Sequence, residues 1–314
     1  MFEAAKVRAE EARKKAYSTP LDQFNVAEPS LFRSDTHWPY FERLRREEPV
    51  HYTRESQYGP YWSVTKFQDI VSVDSNHQVY SSDSLLGGIA IMDGKGPRES
   101  SSFISLDPPM HDAQRKVITP MFAPDSLAKL EPLIRERAAK ILDELPRGEA
   151  FDFVDKVAVE LTSQMLATLF DYPFEQRRLL PRCSDLILAP AEPGGIVETE
   201  EQRQAELFMI LGSFVPLWTQ RLAAAPRHDL VSMLAHGEAT YRDRPEEYFG
   251  NIILLVVAGS DTTRHSITGG LLALNQNPDQ YDKLRANPAL IDTLVPEIIR
   301  YQSPVAHMRR TALA

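Results

Sequence analysis

A single cysteine, Cys183, stands in a chain of 314 residues. No disulfide framework can form within it, and a reducing compartment is the expected setting. Runs of lysine and arginine are missing, and acidic residues outnumber basic ones 44 to 35, for a net charge of −9. That balance argues against nucleic acid as a partner. The longest apolar run, Ile252 to Ala258, is too short to span a bilayer. The first segment, Glu3 to Lys15, is charged and carries no apolar signal core. Together these absences point to a cytoplasmic protein without a membrane span. Strand-like alternation is scarce and early, at Pro49 to Thr53 and Tyr61 to Val64, joined through Gly59-Pro60.

What remains is helical. Periodicity and breakers predict helices over about 1–18, Trp38 to Glu48 and Phe67 to Asp74, the last capped by Thr65. Further helices are expected over Pro109 to Phe122, Pro124 to Glu144, Phe153 to Leu169, Pro173 to Leu188, Thr199 to Ala225 and Asp229 to Ala235. Asp279 to Ala286 and Ala289 to Tyr301 complete the set, and Pro304 to Ala314 reads as extended. The fold class is therefore mainly α with a minor sheet. Two irregular stretches stand out. The loop from Ser81 to Ser102 carries Leu85, Leu86, Ile89, Ile91 and Met92, apolar side chains that a solvated linker does not need. The break at 190–195 reads either as a mobile lid or as a plain interhelical turn.

The most unusual stretch runs from Gly250 to Thr263. An apolar helical run meets Gly259, then an acid and two hydroxyls, Asp261-Thr262-Thr263, and the helical pattern resumes at His265. No proline lies between Pro245 and Pro278, so one helix of roughly 30 residues, about 45 Å long, fits. Leu255, Ala258, Gly259, Thr262 and Ser266 share one of its faces. Small residues there permit close helix packing, or let something large and flat lie against the backbone. A threonine hydroxyl returned to the carbonyl four residues back would loosen the helix. Burying a carboxylate is costly without a partner or a task, which favours a functional role for Asp261.

Other clusters add to this. In Asp107-Pro108-Pro109-Met110-His111-Asp112-Ala113-Gln114-Arg115, Asp107 is a suitable N-cap, and His111 and Arg115 project from one helix face, where they suit a carboxylate or phosphate. A solvated pair is the competing reading. Glu297 and Arg300 stand three apart on an apolar helix; exposed, such a pair is commonplace, and buried it would be a structural pin. Arg309-Arg310 follows Ser303-Pro304-Val305 on an extended segment.

In this order, DPPxHxxxR, AGxDTT on a long helix, ExxR and SPVxxxxR make the whole chain resemble the cytochrome P-450 family of heme-thiolate monooxygenases. The resemblance implies a helical bundle with a long central helix and a small β-sheet, formed as a single domain over 1–314 with no separate reductase domain. It implies that Asp261 and Thr262 are the acid and alcohol that pass protons during dioxygen activation. Ala258 and Gly259 would lie at the heme, with Gly259 opening the helix for dioxygen and water. His111, Arg115 and Arg310 would hold the carboxylates of heme b, iron protoporphyrin IX, and Glu297 with Arg300 would form the family's ion pair. Leu85, Leu86, Ile89, Ile91, Leu254, Leu255, Val305, Met308 and the segment around Ile187 to Ile196 would line the substrate pocket. Electrons would arrive from NAD(P)H through an external reductase and an iron–sulfur ferredoxin, with Lys116 a candidate for docking. A narrower likeness, carried by Phe103 to Pro109, Leu166 to Phe174 and Gly269-Gly270, is to the bacterial soluble branch that hydroxylates the terminal carbon of medium-chain alkanes and fatty acids; the aliphatic pocket residues suit such a substrate.

The chain departs from the family at one point. The Phe-Gly-x-Gly-x-His-x-Cys-x-Gly loop with the iron-ligating cysteine is absent, so the metal ligand is expected beyond Ala314. Cys183 has neither the pattern nor the place of that ligand and reads as a small core or surface residue. The expectation is a C-terminally incomplete P-450 domain, a fragment or a truncated product, inactive as it stands. The competing reading is a non-catalytic heme- or lipid-binding helical protein. A hydrolase would want Gly-x-Ser-x-Gly on a strand–helix turn, and Ser260 lacks that context.

Overall fold

A computed structural model describes residues 2–91, 102–189, 191–240 and 245–313. They form two compact units, one containing residues 2–91, 105–107 and 308–313, the other the described residues of 102–104 and 108–307. The fold is mainly helical with very little sheet. Met92, and with it the rest of the expected apolar loop up to residue 101, lies outside the described residues, as do Pro190 and Ala314.

The first unit holds helices α1 (Phe2–Ser18), α2 (Pro29–Arg33), α3 (Trp38–Glu47) and α4 (Phe67–Asp74). Strands β1 (Val50–Thr53) and β2 (Tyr61–Val64) pair antiparallel, as do β3 (Tyr80–Ser81) and β4 (Thr311–Ala312). A small core of Ala16, Phe24, Val26, Tyr40 and Leu44 joins α1 to α3. Arg43 on α3 donates to the carbonyls of Ala16 and Thr19 at 2.8 and 2.6 Å, placing a cation on the last turn of α1, where the open carbonyls of a helix end need donors. Thr65 does not cap α4. Its hydroxyl donates instead to the Pro49 carbonyl at 2.9 Å, closing the β1–β2 hairpin, and α4 begins after Lys66 without a side-chain cap.

The second unit carries α5 (Met110–Ile118), α6 (Pro124–Asp143), α7 (Glu160–Phe170), α8 (Leu179–Leu188), α9 (Glu200–Gly212), α10 (Phe214–Leu222), α11 (Leu230–His236), α12 (Pro245–Gln276), α13 (Pro278–Ala286) and α14 (Ile291–Gln302). Asp107 does not cap α5, which starts after Pro109; its carboxylate is taken by the Ser81 hydroxyl at 2.5 Å and the Ser82 amide at 2.8 Å. The expected helix over Thr199 to Ala225 is divided at Ser213 into α9 and α10. Pro216 is the cause: it has no N–H to offer the carbonyl of Gly212, and its ring crowds that carbonyl. The helix expected from Phe153 opens as a wider π-turn, Val154–Val159, before α7. There Thr162 and Ser163 return their hydroxyls to the carbonyls of Ala158 and Val159 at 2.8 and 2.5 Å. Residues 191–197 make an interhelical turn with its own hydrogen bonds, Glu192 N–H to the Val197 carbonyl at 3.1 Å and Gly195 N–H to the Glu192 carbonyl at 2.9 Å.

The core of this unit gathers Leu166, Phe170, Leu180, Leu186, Ile210, Phe214, Leu234, Tyr248, Ile252 and Val256, so α7 to α12 all contribute. A buried ion network braces it: Arg221, with its side chain 4% exposed, reaches Asp171 and lies 3.2 Å from Asp229, which also caps α11 through the Ser232 amide. The 32 residues of α12 run unbroken, about 48 Å end to end. They pack along α7, α8 and α14. At Gly269 and Gly270 the backbone of α12 is approached by Gln302 and Ile298 of α14, and a Cβ on Gly270 would lie 2.7 Å from Ile298 Cδ1.

Gly270→Val is therefore expected to destabilise the protein by about 2 kcal/mol through overpacking, read from the midpoint of urea unfolding. In an Ile298→Ala background, Gly270→Ala should instead stabilise, because space is open and alanine favours the helix by about 1 kcal/mol. Equal effects of Gly270→Ala in both backgrounds would show that Ile298 does not set the approach.

Candidate functional site

The two sides of α12 differ. Ile252, Val256 and Ser260 follow each other at four-residue spacing and are fully buried. Ala258, about 200° around the helix from Val256, is exposed. Gly259 lies between these sides, and a Cβ there would stand 2.8 Å from Leu166 Cδ2, so its small size serves the contact with α7. The helix does not open at Gly259. Thr262 donates its hydroxyl to the Ala258 carbonyl at 2.7 Å, so the two residues form one turn with that hydroxyl held along the helix. Ser260 is buried in mid-helix, with its hydroxyl unpartnered among the described residues, and cannot serve as an exposed nucleophile.

Asp261, with its side chain 16% exposed, has partners on both sides. Arg264, one turn on, pairs with it, and Arg264 Nη2 also lies 2.9 Å from Asp185 Oδ1 on α8. His265, 48% exposed, places Nε2 at 3.3 Å from Asp261 Oδ2. Burial by itself would raise the Asp261 carboxyl, but hydrogen bonds and charge from His265 and Arg264 outweigh it and hold the group below the usual carboxylate value. The acid that the sequence marks out is thus an ionised carboxylate with one sheltered cation and one partner facing water. Burial likewise disfavours the Arg264 guanidinium, and its two carboxylates more than restore it.

On α5, His111 directs Nδ1 to Asp112 Oδ1 at 2.8 Å, which leaves Nε2 for another partner. Arg115 is exposed and makes no ion pair among the described residues. Between them on α5, Gln114 is fully buried and accepts from Asn251 Nδ2 of α12 at 3.1 Å; the other end of the Asn251 amide accepts from the Phe103 N–H at 2.9 Å. Arg310, in the first unit, is engaged: Nη2 lies 2.5 Å from Asp74 and Nη1 donates to the Arg309 carbonyl. Glu297 and Arg300 form a two-pronged pair at 2.6 and 2.7 Å that is exposed to solvent.

The expected pocket residues divide between the two units. Leu85 and Leu86 are exposed, and Ile89 and Ile91 half-buried, on a segment fastened in the first unit by Arg309 N–H to the Ile89 carbonyl and the Thr311 hydroxyl to the Leu86 carbonyl, both at 2.8 Å. Met308 of the same unit is exposed. In the second unit Leu254 and Leu255 pack against the core, Val305 and Ile196 are exposed, and Ile187 is half-buried. Cys183 is buried in α8 among core residues, and burial pushes its thiol up to about 12, so it is a packing residue rather than a thiolate. Sequence reading passed over Asn251, Gln114, Asp185 and Arg264. The i+3 spacing of Arg264 from Asp261 and the lone amide in an apolar run were the available signals.

Because the folded value of Asp261 is depressed, its pairing stabilises fully above the ordinary carboxylate value near ~4 and is lost as pH falls through the folded value. Arg264→Gln, which leaves two carboxylates without their shared cation, is expected to cost about 2 kcal/mol at neutral pH, less than a fully buried pair because some solvent reaches it. The cost should shrink below about pH 4; a pH-independent cost would assign it to packing. For Cys183, an aromatic disulfide reagent is expected to react only at the rate of unfolding, and rapid labelling of the folded protein would contradict its placement.

No family model matches the chain. Curated relatives do. Linalool 8-monooxygenase of Pseudomonas putida is 31% identical over 305 residues, which covers 93% of this chain and 74% of the relative. Steroid C26-monooxygenase of Mycolicibacterium smegmatis is 32% identical over 282 residues, covering 86% of this chain and 64% of that protein. Among solved structures, cytochrome P450-153 from Novosphingobium aromaticivorans superposes with a TM-score of 0.84 at 38% identity, covering 92% of this chain and 73% of the other. CYP153D17 from Sphingomonas sp. PAMC 26605 gives 0.83 at 40%, covering 93% and 73%. Among the described residues, no helix is long and apolar enough to cross a membrane. With sequence relatives and solved structures agreeing along nearly all of its length, the chain belongs to the cytochrome P450 family of monooxygenases.

Proposed function

We propose that this chain belongs to a heme-dependent monooxygenase that hydroxylates the terminal carbon of a medium-chain alkane or fatty acid. The observation that carries the reading is the pair Asp261–Thr262 on α12: an ionised carboxylate beside a hydroxyl that is fixed to the exposed Ala258 turn. A pure binding protein has no need of that pair.

The residues present fit heme b. Ala258 offers a flat group close approach to an exposed stretch of backbone. The His111 imidazole, whose Nε2 has no partner among the described residues, and the unpaired Arg115 guanidinium are suited to two carboxylates. When bound, the heme supplies dioxygen activation. One oxygen atom enters the C–H bond and the other leaves as water, with consumption of two electrons and two protons. For the protons, Asp261 Oδ2 is the receiving atom, because His265 Nε2 connects it to solvent at 3.3 Å. Thr262 Oγ1 is the hydroxyl that orders the last transfer, and Arg264 keeps Asp261 ionised between turnovers. In the second unit, Leu254, Leu255 and Val305 would hold the hydrocarbon by apolar area. The substrate class is supported by these aliphatic side chains and by the likeness to the P450-153 structures. Electrons come from NAD(P)H through a reductase and a ferredoxin in the cytoplasm, with the exposed Lys116 on α5 a docking residue.

The test uses the full-length protein with reductase, ferredoxin, NADPH and n-octane. The wild type is expected to yield 1-octanol. Thr262→Ala should continue to consume NADPH while product per electron falls roughly tenfold or more. Unchanged coupling in Thr262→Ala would remove the proton-delivery role, and heme binding without any product from the wild type would favour a heme- or lipid-binding protein.

A further inference from the structure

Asn251 is fully buried on α12, one turn before the core contacts of Leu254 and Leu255. Its amide is used at both ends, and the orientation is forced. The Phe103 N–H can only donate, so the atom 2.9 Å from it is Asn251 Oδ1. Nδ2 therefore faces Gln114, which presents Oε1 at 3.1 Å. One side chain thus ties α12 to α5 and to the segment that precedes α5, across sequence separations of 137 and 148 residues. The consequences reach the two donors of α5. Gln114 immediately precedes Arg115, and the Phe103 ring meets the His111 imidazole edge-on at 6.1 Å between centroids. The positions of His111 and Arg115 relative to α12 are therefore set from inside the core, by a group that touches neither of them.

We infer that Asn251 is a positioning residue for heme: through Gln114 and Phe103 it fixes the register of α5 against α12 and so aims His111 and Arg115 at the heme carboxylates. The inference rests on the heme-binding reading of those two residues. A misplaced side chain makes a longer, poorer hydrogen bond, so the effect of losing Asn251 must pass through His111 and Arg115. That separates aiming from a general loosening of the core, which would add to any other defect.

The experiment measures transfer of heme from the full-length protein to excess apomyoglobin, for the wild type, Asn251→Ala, His111→Gln/Arg115→Gln and the triple variant. His111→Gln/Arg115→Gln is expected to release heme roughly tenfold faster or more. Asn251→Ala should accelerate release several-fold on its own and add nothing in the triple variant. Amide exchange of the heme-free protein supplies the second readout: the Phe103 amide should lose protection in Asn251→Ala. If the folding of Asn251→Ala is impaired, Gln114→Met keeps the Phe103 anchor and severs only the α5 arm, with the same expected pattern in heme release. Effects that multiply in the triple variant would reduce Asn251 to core stability and overturn the inference. No effect of His111→Gln/Arg115→Gln would overturn the heme-binding reading and the inference with it, whereas an effect there with none from Asn251→Ala would overturn the inference alone.

Discussion

Close packing of α12 against α7, α8 and α14 is the constraint on which the second unit is built. A helix that long can touch several neighbours only if its own backbone is approachable, and it is so where side chains are small. Gly259 admits Leu166, and Gly270 admits Ile298. Ile252 and Val256 commit the same helix to the core. With one side spent on packing, the other is left with Ala258 and Thr262, which give little bulk to the surface and keep a hydroxyl in a fixed place. The chemistry proposed for the helix depends on that division: the packed side supplies rigidity, and the small-residue side supplies access.

Charge is arranged to the same end. Asp261 could be sheltered only with compensation, and Arg264 provides it, shared with Asp185 so that α8 and α12 are tied by the same cation. His265 leaves the carboxylate in touch with solvent. A fully enclosed acid would be inert to exchange with water, and a fully exposed one would not be placed. A half-buried carboxylate with one partner of each kind satisfies both demands. In the Arg221–Asp171–Asp229 network, by contrast, the Arg221–Asp229 pair is buried while Asp171 stays open to solvent, and the three hold α10, α11 and the end of α7 together.

Much of this was legible in the sequence. The absence of proline between Pro245 and Pro278 gave the length of α12, whereas the expected small-residue face divides: Leu255 packs on the core and Gly259 on Leu166, while Ala258 is exposed. The early strands and most helices followed from periodicity. Two of the failures share a cause: side chains with more than one available partner. Asp107 and Thr65 have the right chemistry for helix caps, but nearer donors and acceptors at Ser81, Ser82 and Pro49 claim them. Pro216 divides α9 from α10, although Pro132 is accommodated inside α6, so proline alone does not decide where a helix ends. Asn251 was not legible as a lock because its partners lie far away in the chain, and local pattern says nothing about them. The sequence showed that Asp261 needed a partner; that Arg264 is shared with Asp185 emerged only from the packing of α8 on α12.

Heme uptake by Ala258→Phe in the full-length protein tests the account most directly. Ala258 is exposed, so a phenyl group there leaves the packed side of α12 untouched. The account predicts an unchanged unfolding midpoint for the heme-free protein together with loss of the bound-heme absorption band. Normal heme uptake by that variant would contradict it, and would mean that the exposed side of α12 is not where the heme lies.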